Sequence, residues 1–166
     1  MKKVVKFGGS SLASAEQFRK VGEIVRAEED RRYVVPSAPG KRFNGDTKVT
    51  DMLYECYRLA EEGEEFKKEL KNIKARYDEI ITGLNLTLSL DSEFKTIEEN
   101  FKKHAGENYA ASRGEYLNGI IMADYLGFAF IDAAKVIFFK EDGTWDETRT
   151  KEILSTELSK YDRAVI

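Results

Sequence analysis

The chain has 166 residues, 42% of them hydrophobic and 34% charged, with a formal net charge of −3. That length supports one core and one domain. The near-balanced charge excludes the broad basic face of a nucleic-acid binder, and no stretch approaches the ~20 apolar residues of a membrane span. Small molecules or another protein chain are the expected partners. Cys56 is the sole cysteine, so no intramolecular disulfide can form and a reducing compartment, the cytoplasm, is the expected setting. At the N-terminus two lysines precede an apolar run that is too short for a signal-peptide core and is interrupted by Lys6.

In chain order, residues 2–7 and 32–36 are β-branched runs that read as strands. Between them a helix over about 14–29 opens with Ser14 and Gln17 at capping-box spacing and carries Phe18, Val21, Ile24 and Val25 on one face. Strand, helix and strand at this spacing predict a right-handed βαβ unit with parallel strands. Residues 36–47, "PSAPGKRFNGDT", hold both prolines and form a long loop. Helices follow over about 48–62, 64–83, 89–104 and 113–126. The Glu- and Lys-rich stretch from Glu61 to His104 reads as a helical hairpin packed on the domain, its charges forming a solvated face. "FAFID" (128–132) and "KVIFF" (135–139) are expected as strands, residues 146–161 as a helix, and "DRAVI" as a last, unpaired strand inviting self-association. Cys56 is expected as a small buried apolar residue, His104 as solvent-exposed, and Trp145 as a surface or packing residue.

Three segments can carry chemistry. In "KFGGSS" a strand ends in Lys6 and runs into Gly8 and Gly9. Backbone N–H groups there, with the hydroxyls of Ser10 and Ser11, suit a phosphate, and Lys6 adds positive charge. An ordinary βα turn with a snorkelling lysine stands level with that reading. In "VVPSAPGKRFNGDTKVTDML", Ser37 directly follows a strand and falls at the carboxyl edge of the sheet, where open α/β folds bind ligands. Thr50 and Asp51 lie in the first turn of the next helix, with Asp46 or Thr47 as its N-cap, and capping alone would account for them. Lys41, Arg42 and Lys48 make this loop cationic, which suits an anionic ligand and equally a solvated loop. In "ASRGEYLNGIIMADYLG", Ser112 and Glu115 have capping-box spacing, but a carboxylate at that point also suits a substrate ammonium group.

Together and in this order the three segments resemble the N-terminal part of the aspartate kinases, in the amino-acid kinase family. "SRGE" distinguishes them from carbamate, glutamate and uridylate kinases, which share the glycine-rich start. The resemblance implies an α/β fold, a three-layer α/β/α sandwich on a mostly parallel sheet, incomplete here and carrying the helical hairpin as an insertion. It implies transfer of the γ-phosphoryl group of ATP, with Mg2+, to the side-chain carboxylate of L-aspartate, the first step towards lysine, threonine and methionine. On that resemblance Lys6 contacts the transferring phosphoryl group, and Gly8, Gly9 and Ser10 cradle the nucleotide phosphates. Ser37 and Thr50 hold the aspartate, Glu115 takes its amino group, and no residue is assigned to metal. A homo-oligomer is expected for the full-length protein.

The family's downstream "GGSD"-type segment, adenine-binding segment and regulatory ACT domains have no counterpart in these 166 residues. The chain is therefore expected to be the substrate-side part of the catalytic domain, without the nucleotide-binding half and inactive alone. Two alternatives stay open: another amino-acid kinase acting on a different carboxylate or carbamate, and a non-catalytic module that binds a phosphorylated ligand or a partner chain.

Overall fold

A computed structural model describes residues 1–166. The elements are β1 (Lys3–Phe7), α1 (Ala15–Arg26), β2 (Arg31–Pro36), α2 (Val49–Glu61), α3 (Lys67–Gly83), α4 (Asp91–Lys102), α5 (Glu107–Leu126), β3 (Ala129–Phe130), α6 (Glu147–Leu158) and β4 (Ala164–Val165). The sheet order is β1-β2-β4-β3 and every pairing is parallel. β1 and β2 run side by side from Lys3 opposite Arg31 to Phe7 opposite Pro36, with α1 as the crossover. Ser14 caps α1 as expected, its hydroxyl accepting from the Gln17 N–H.

Alternation along the strands sorts the side chains into two layers. Val34 and Val165 enter a large cluster that also takes residues from α1 to α5. Tyr33 and Ala164 face the other way and join Ile131 and Val136, against Leu154 and Leu158 of α6. Five helices on one face and one on the other make the three-layer sandwich. α3 and α4 are integral to it: Ile73, Tyr77, Ile80, Ile97 and Phe101 are buried in the main cluster. Each fully buried large side chain contributes roughly 1.5–3 kcal/mol. On β1, Val5 and Phe7 pack on the main cluster, while Val4 and Lys6 face outward and are exposed.

Several expected elements differ. Residues 135–139 are not a strand: a short 3-10 turn spans Ala133–Lys135, and Phe139 makes an isolated bridge to Trp145. The apolar run is used differently, because Val136 is buried in the smaller cluster while Phe139 is exposed. Its backbone pairs with the α6 region: the Phe138 N–H donates to Thr150 Oγ1 at 2.9 Å, and the Phe138 carbonyl accepts from the Asp146 N–H at 2.9 Å. β3 stops at Phe130, and Asp132 caps that 3-10 turn. The last strand is not unpaired, since β4 lies between β2 and β3. α5 begins at Glu107, after Gly106 at a φ of 98°, so Ser112 and Glu115 lie inside the helix and form no capping box. α2 begins at Val49 after Lys48, with no side-chain cap from Asp46 or Thr47. His104 is exposed, and its ring lies 3.5 Å from Glu61. Trp145 is half-exposed, and Cys56 is buried. No helix is long and apolar enough to cross a membrane.

Candidate functional site

The carboxyl ends of β1 and β2 build the site. Beyond Phe7 the chain enters a 3-10 turn over Gly9–Leu12, anchored by fully buried Leu12, and the Ser11 N–H donates to the Gly8 carbonyl at 3.1 Å. Beyond Pro36, the Ser37 N–H donates to the Phe7 carbonyl at 3.0 Å, which keeps the two strand exits together. Next, the Gly40 N–H donates to the Gly9 carbonyl at 2.8 Å. The two turns approach so closely that a Cβ on Gly40 would stand 2.6 Å from the Gly9 carbonyl carbon, and one on Gly9 would stand 2.8 Å from the Ala38 oxygen. Glycine is required at both positions by close backbone approach. Gly8 differs: its backbone is extended, with φ −78°, and a Cβ there would enter open space.

These turns and the start of α2 enclose a hollow of about 530 Å³ lined by Gly9, Ser10, Ser37, Lys41, Lys48 and Thr50, among others. Four of the expected site residues therefore meet: Gly9, Ser10, Ser37 and Thr50. Lys41 and Lys48 join them and form no ion pair, whereas Arg42 is turned away into Asp46 and Glu79. Lys6 does not line the hollow. It stands on the outward face of β1, exposed and without an acidic partner, one strand end from Gly8.

Glu115 is brought in from α5. Its Oε1 accepts the Ala38 N–H at 3.3 Å, which leaves Oε2 unpaired, and the side chain lines a second, mostly apolar hollow with Arg113, Tyr116 and Phe130. One turn further along α5, fully buried Asn118 donates from Nδ2 to the Ser37 carbonyl at 2.6 Å. α5 thus grips the exit of β2 at two successive residues. Gly114 lets it approach, since a Cβ there would meet the Ala38 Cβ at 2.7 Å. Tyr77 of α3 donates its hydroxyl to the Gly114 carbonyl at 2.9 Å, and burial holds that phenol well above its usual pKa.

The loop between Ser37 and Thr50 is closed from two sides. The Val49 N–H donates to the Pro39 carbonyl at 3.1 Å. Arg76 of α3, 5% exposed, donates to the Gly40 carbonyl at 2.9 Å and the Thr47 carbonyl at 3.1 Å, and lies 3.3 Å from Asp46. The forked hydrogen bond from Arg42 holds the Asp46 carboxyl well below the usual carboxylate range. Sequence reasoning missed Arg76 and Asn118. The available signal was a polar residue inside an apolar pattern: Arg76 beside Ile73, Tyr77 and Ile80, and Asn118 between Leu117 and Ile121.

The hollow lies at the carboxyl edge of a parallel sheet, floored by glycine turns and ringed by serine, threonine, unpaired Lys41 and Lys48 and the acidic Asp51, a lining that suits an anionic group. The profile of the amino acid kinase family matches residues 1–163. This chain belongs to the amino acid kinase family. Within that family it is similar to the aspartate kinase of Clostridium acetobutylicum, whose crystal structure superposes with a TM-score of 0.95 at 46% identity over 100% of this chain and 39% of that one. Aspartokinase 3 of Bacillus subtilis is 61% identical over 54 residues, covering 32% of this chain and 12% of that protein. The aspartokinase of Chlamydia trachomatis is 30% identical over 128 residues, covering 74% and 27% respectively. The fold also matches E. coli aspartokinase III in complex with aspartate and ADP, with a TM-score of 0.78 at 21% identity over 99% of this chain and 40% of that one. The chain thus spans well under half the length of these relatives. It contains no group of three or more His, Cys, Asp or Glu side chains placed to hold a metal ion, so the residues present form no protein-only cage for the magnesium expected with ATP.

Proposed function

We propose that this chain is the substrate-side part of an aspartate kinase, and that the complete protein transfers the γ-phosphoryl group of ATP to the β-carboxylate of L-aspartate. The supporting observation is the convergence of Gly9, Ser10, Ser37 and Thr50 on one hollow, in a chain 46% identical along its whole length to an aspartate kinase. One carboxylate oxygen attacks the γ-phosphorus, the bond to the β–γ bridging oxygen breaks, and ADP and 4-phospho-L-aspartate leave. A carboxylate is already ionised at neutral pH, so no general base is needed. The protein's task is to hold two anions in line and neutralise spreading charge.

In this reading Gly8, Gly9 and Ser10 present backbone N–H groups and a hydroxyl to the phosphates, and the open space above Gly8 accommodates them. Ser37 and Thr50 hold the aspartate. Glu115, with Oε1 tied to Ala38, offers Oε2 to the substrate ammonium. Lys6, exposed on β1 and free of any acidic partner, is the cation assigned to the transferring phosphoryl group. The reaction would begin lysine, threonine and methionine biosynthesis in the cytoplasm, with magnesium accompanying ATP and the full-length protein a homo-oligomer.

The test is ATP-dependent turnover of the complete protein with aspartate, glutamate and carbamate, trapping acyl phosphate as the hydroxamate. Turnover confined to aspartate is expected, with none from the 166-residue chain alone. Turnover on a different acceptor, or on none, overturns the proposal.

A further inference from the structure

Ser37 and Thr50 stand at the two ends of a loop that contains no regular structure, yet both line one hollow. Something outside the loop has to fix its span. Its own backbone supplies the Val49–Pro39 hydrogen bond, and the Gly40–Gly9 bond ties it to the phosphate turn. Between those two ties, the carbonyls of Gly40 and Thr47 both face α3, and both accept from the same guanidinium.

We propose that Arg76 is the positioning residue of the acceptor loop, setting the distance between Ser37 and Thr50. The proposal rests on the aspartate kinase reading above. A planar fork with fixed N–H directions can bridge two carbonyls in a way that a single ammonium cannot. Arg76 Nη2 takes Gly40, at the start of the loop, and Nη1 takes Thr47, near its end. Asp46 lies 3.3 Å from Nη1 and balances the buried charge. Arg42 and Glu79 extend the same network to the surface. The Arg76 Nε remains buried without a partner, so the guanidinium is aimed at the loop carbonyls and not at its own full satisfaction. Leaving a donor unpaired in a buried site is unfavourable, and the geometry gained in exchange is control of the loop. Arg76 touches neither Ser37 nor Thr50, and it acts on the substrate through the backbone they share.

The experiment uses the complete kinase carrying this segment, with Arg76→Met and Arg76→Lys variants. Arg76→Met removes both donors at similar length. It is expected to raise KM for aspartate about tenfold or more, the effect of mispositioned hydrogen-bonding groups, while KM for ATP stays within about twofold. Amide exchange at Gly40 and Val49 should accelerate by about tenfold or more while α1 and α5 keep their protection. Arg76→Lys keeps the charge but cannot bridge both carbonyls, so it should give a smaller shift in the same direction, and it serves if Arg76→Met fails to fold. Equal rises in both KM values, or unchanged KM and unchanged loop exchange in a folded variant, overturn the proposal. Wild-type enzyme without aspartate-dependent turnover would overturn the functional reading instead, and the exchange measurement would still decide the role of Arg76.

Discussion

Two glycines of the turns that follow β1 and β2 should respond to alanine in opposite ways. In Gly40→Ala, the new Cβ would lie 2.6 Å from the Gly9 carbonyl carbon and 2.7 Å from the Ser10 nitrogen. Both are backbone atoms, so neither can swing aside and the two turns must part. Parting breaks the Gly40–Gly9 hydrogen bond, a loss of about 1 kcal/mol, and the forced displacement adds about 1–3 kcal/mol. The expected destabilisation is roughly 2–4 kcal/mol. With a urea slope of about 2 kcal/mol per molar, the unfolding midpoint followed by circular dichroism should fall by about 1–2 M. In Gly8→Ala the backbone is already in a region open to any residue and the Cβ meets nothing within 4 Å. That variant should be unchanged or stabilised by about 0.4–1 kcal/mol through a less flexible unfolded chain. In the complete kinase it should instead raise KM for ATP, because the methyl occupies the space assigned to phosphate. A Gly40→Ala midpoint close to that of wild type would refute the close-approach reasoning.

Asn118→Ala removes the donor to the buried Ser37 carbonyl and should cost about 1–3 kcal/mol in urea unfolding, with a rise in KM for aspartate in the complete enzyme. The Asp46 carboxyl has a lowered pKa in the folded chain, so its contribution is fully present above its ordinary pKa of 3.8 and is lost as the pH falls through the lowered value. The stability gap between wild type and Asp46→Asn should accordingly be constant near neutrality and shrink in acid unfolding below about pH 4. Burial pushes the Cys56 thiol up to about 12, so a disulfide reagent at neutral pH should leave it unmodified until the chain unfolds.

The βα order was legible because β-branched runs and the Ser14–Gln17 cap are local signals. What escaped depended on partners distant in sequence. The run at 135–139 looks like a strand until Thr150 is known to take the Phe138 N–H. The last strand looked unpaired because sequence does not reveal that β4 inserts between β2 and β3. The capping-box spacing of Ser112 and Glu115 was misleading because the helix starts one and a half turns earlier, after a glycine at positive φ. Strand ends and a helix start bring Ser10, Ser37 and Thr50 to one hollow, and the substrate role of Thr50 is what the resemblance implies. For Glu115 the residue reading left capping and an ammonium partner both open, and the resemblance implies the second. Arg76 and Asn118 act from α3 and α5 on backbone carbonyls, which carry no mark in sequence.

The most direct test of the proposed phosphoryl-transfer site is the turnover of Lys6→Ala in the complete protein, measured with saturating ATP and aspartate. Lys6 is exposed and makes no ion pair, so the variant should fold normally. In the role proposed for Lys6, loss of its charge should lower turnover by about 10²–10³-fold. Turnover near the wild-type value in a folded variant would contradict the role assigned to Lys6.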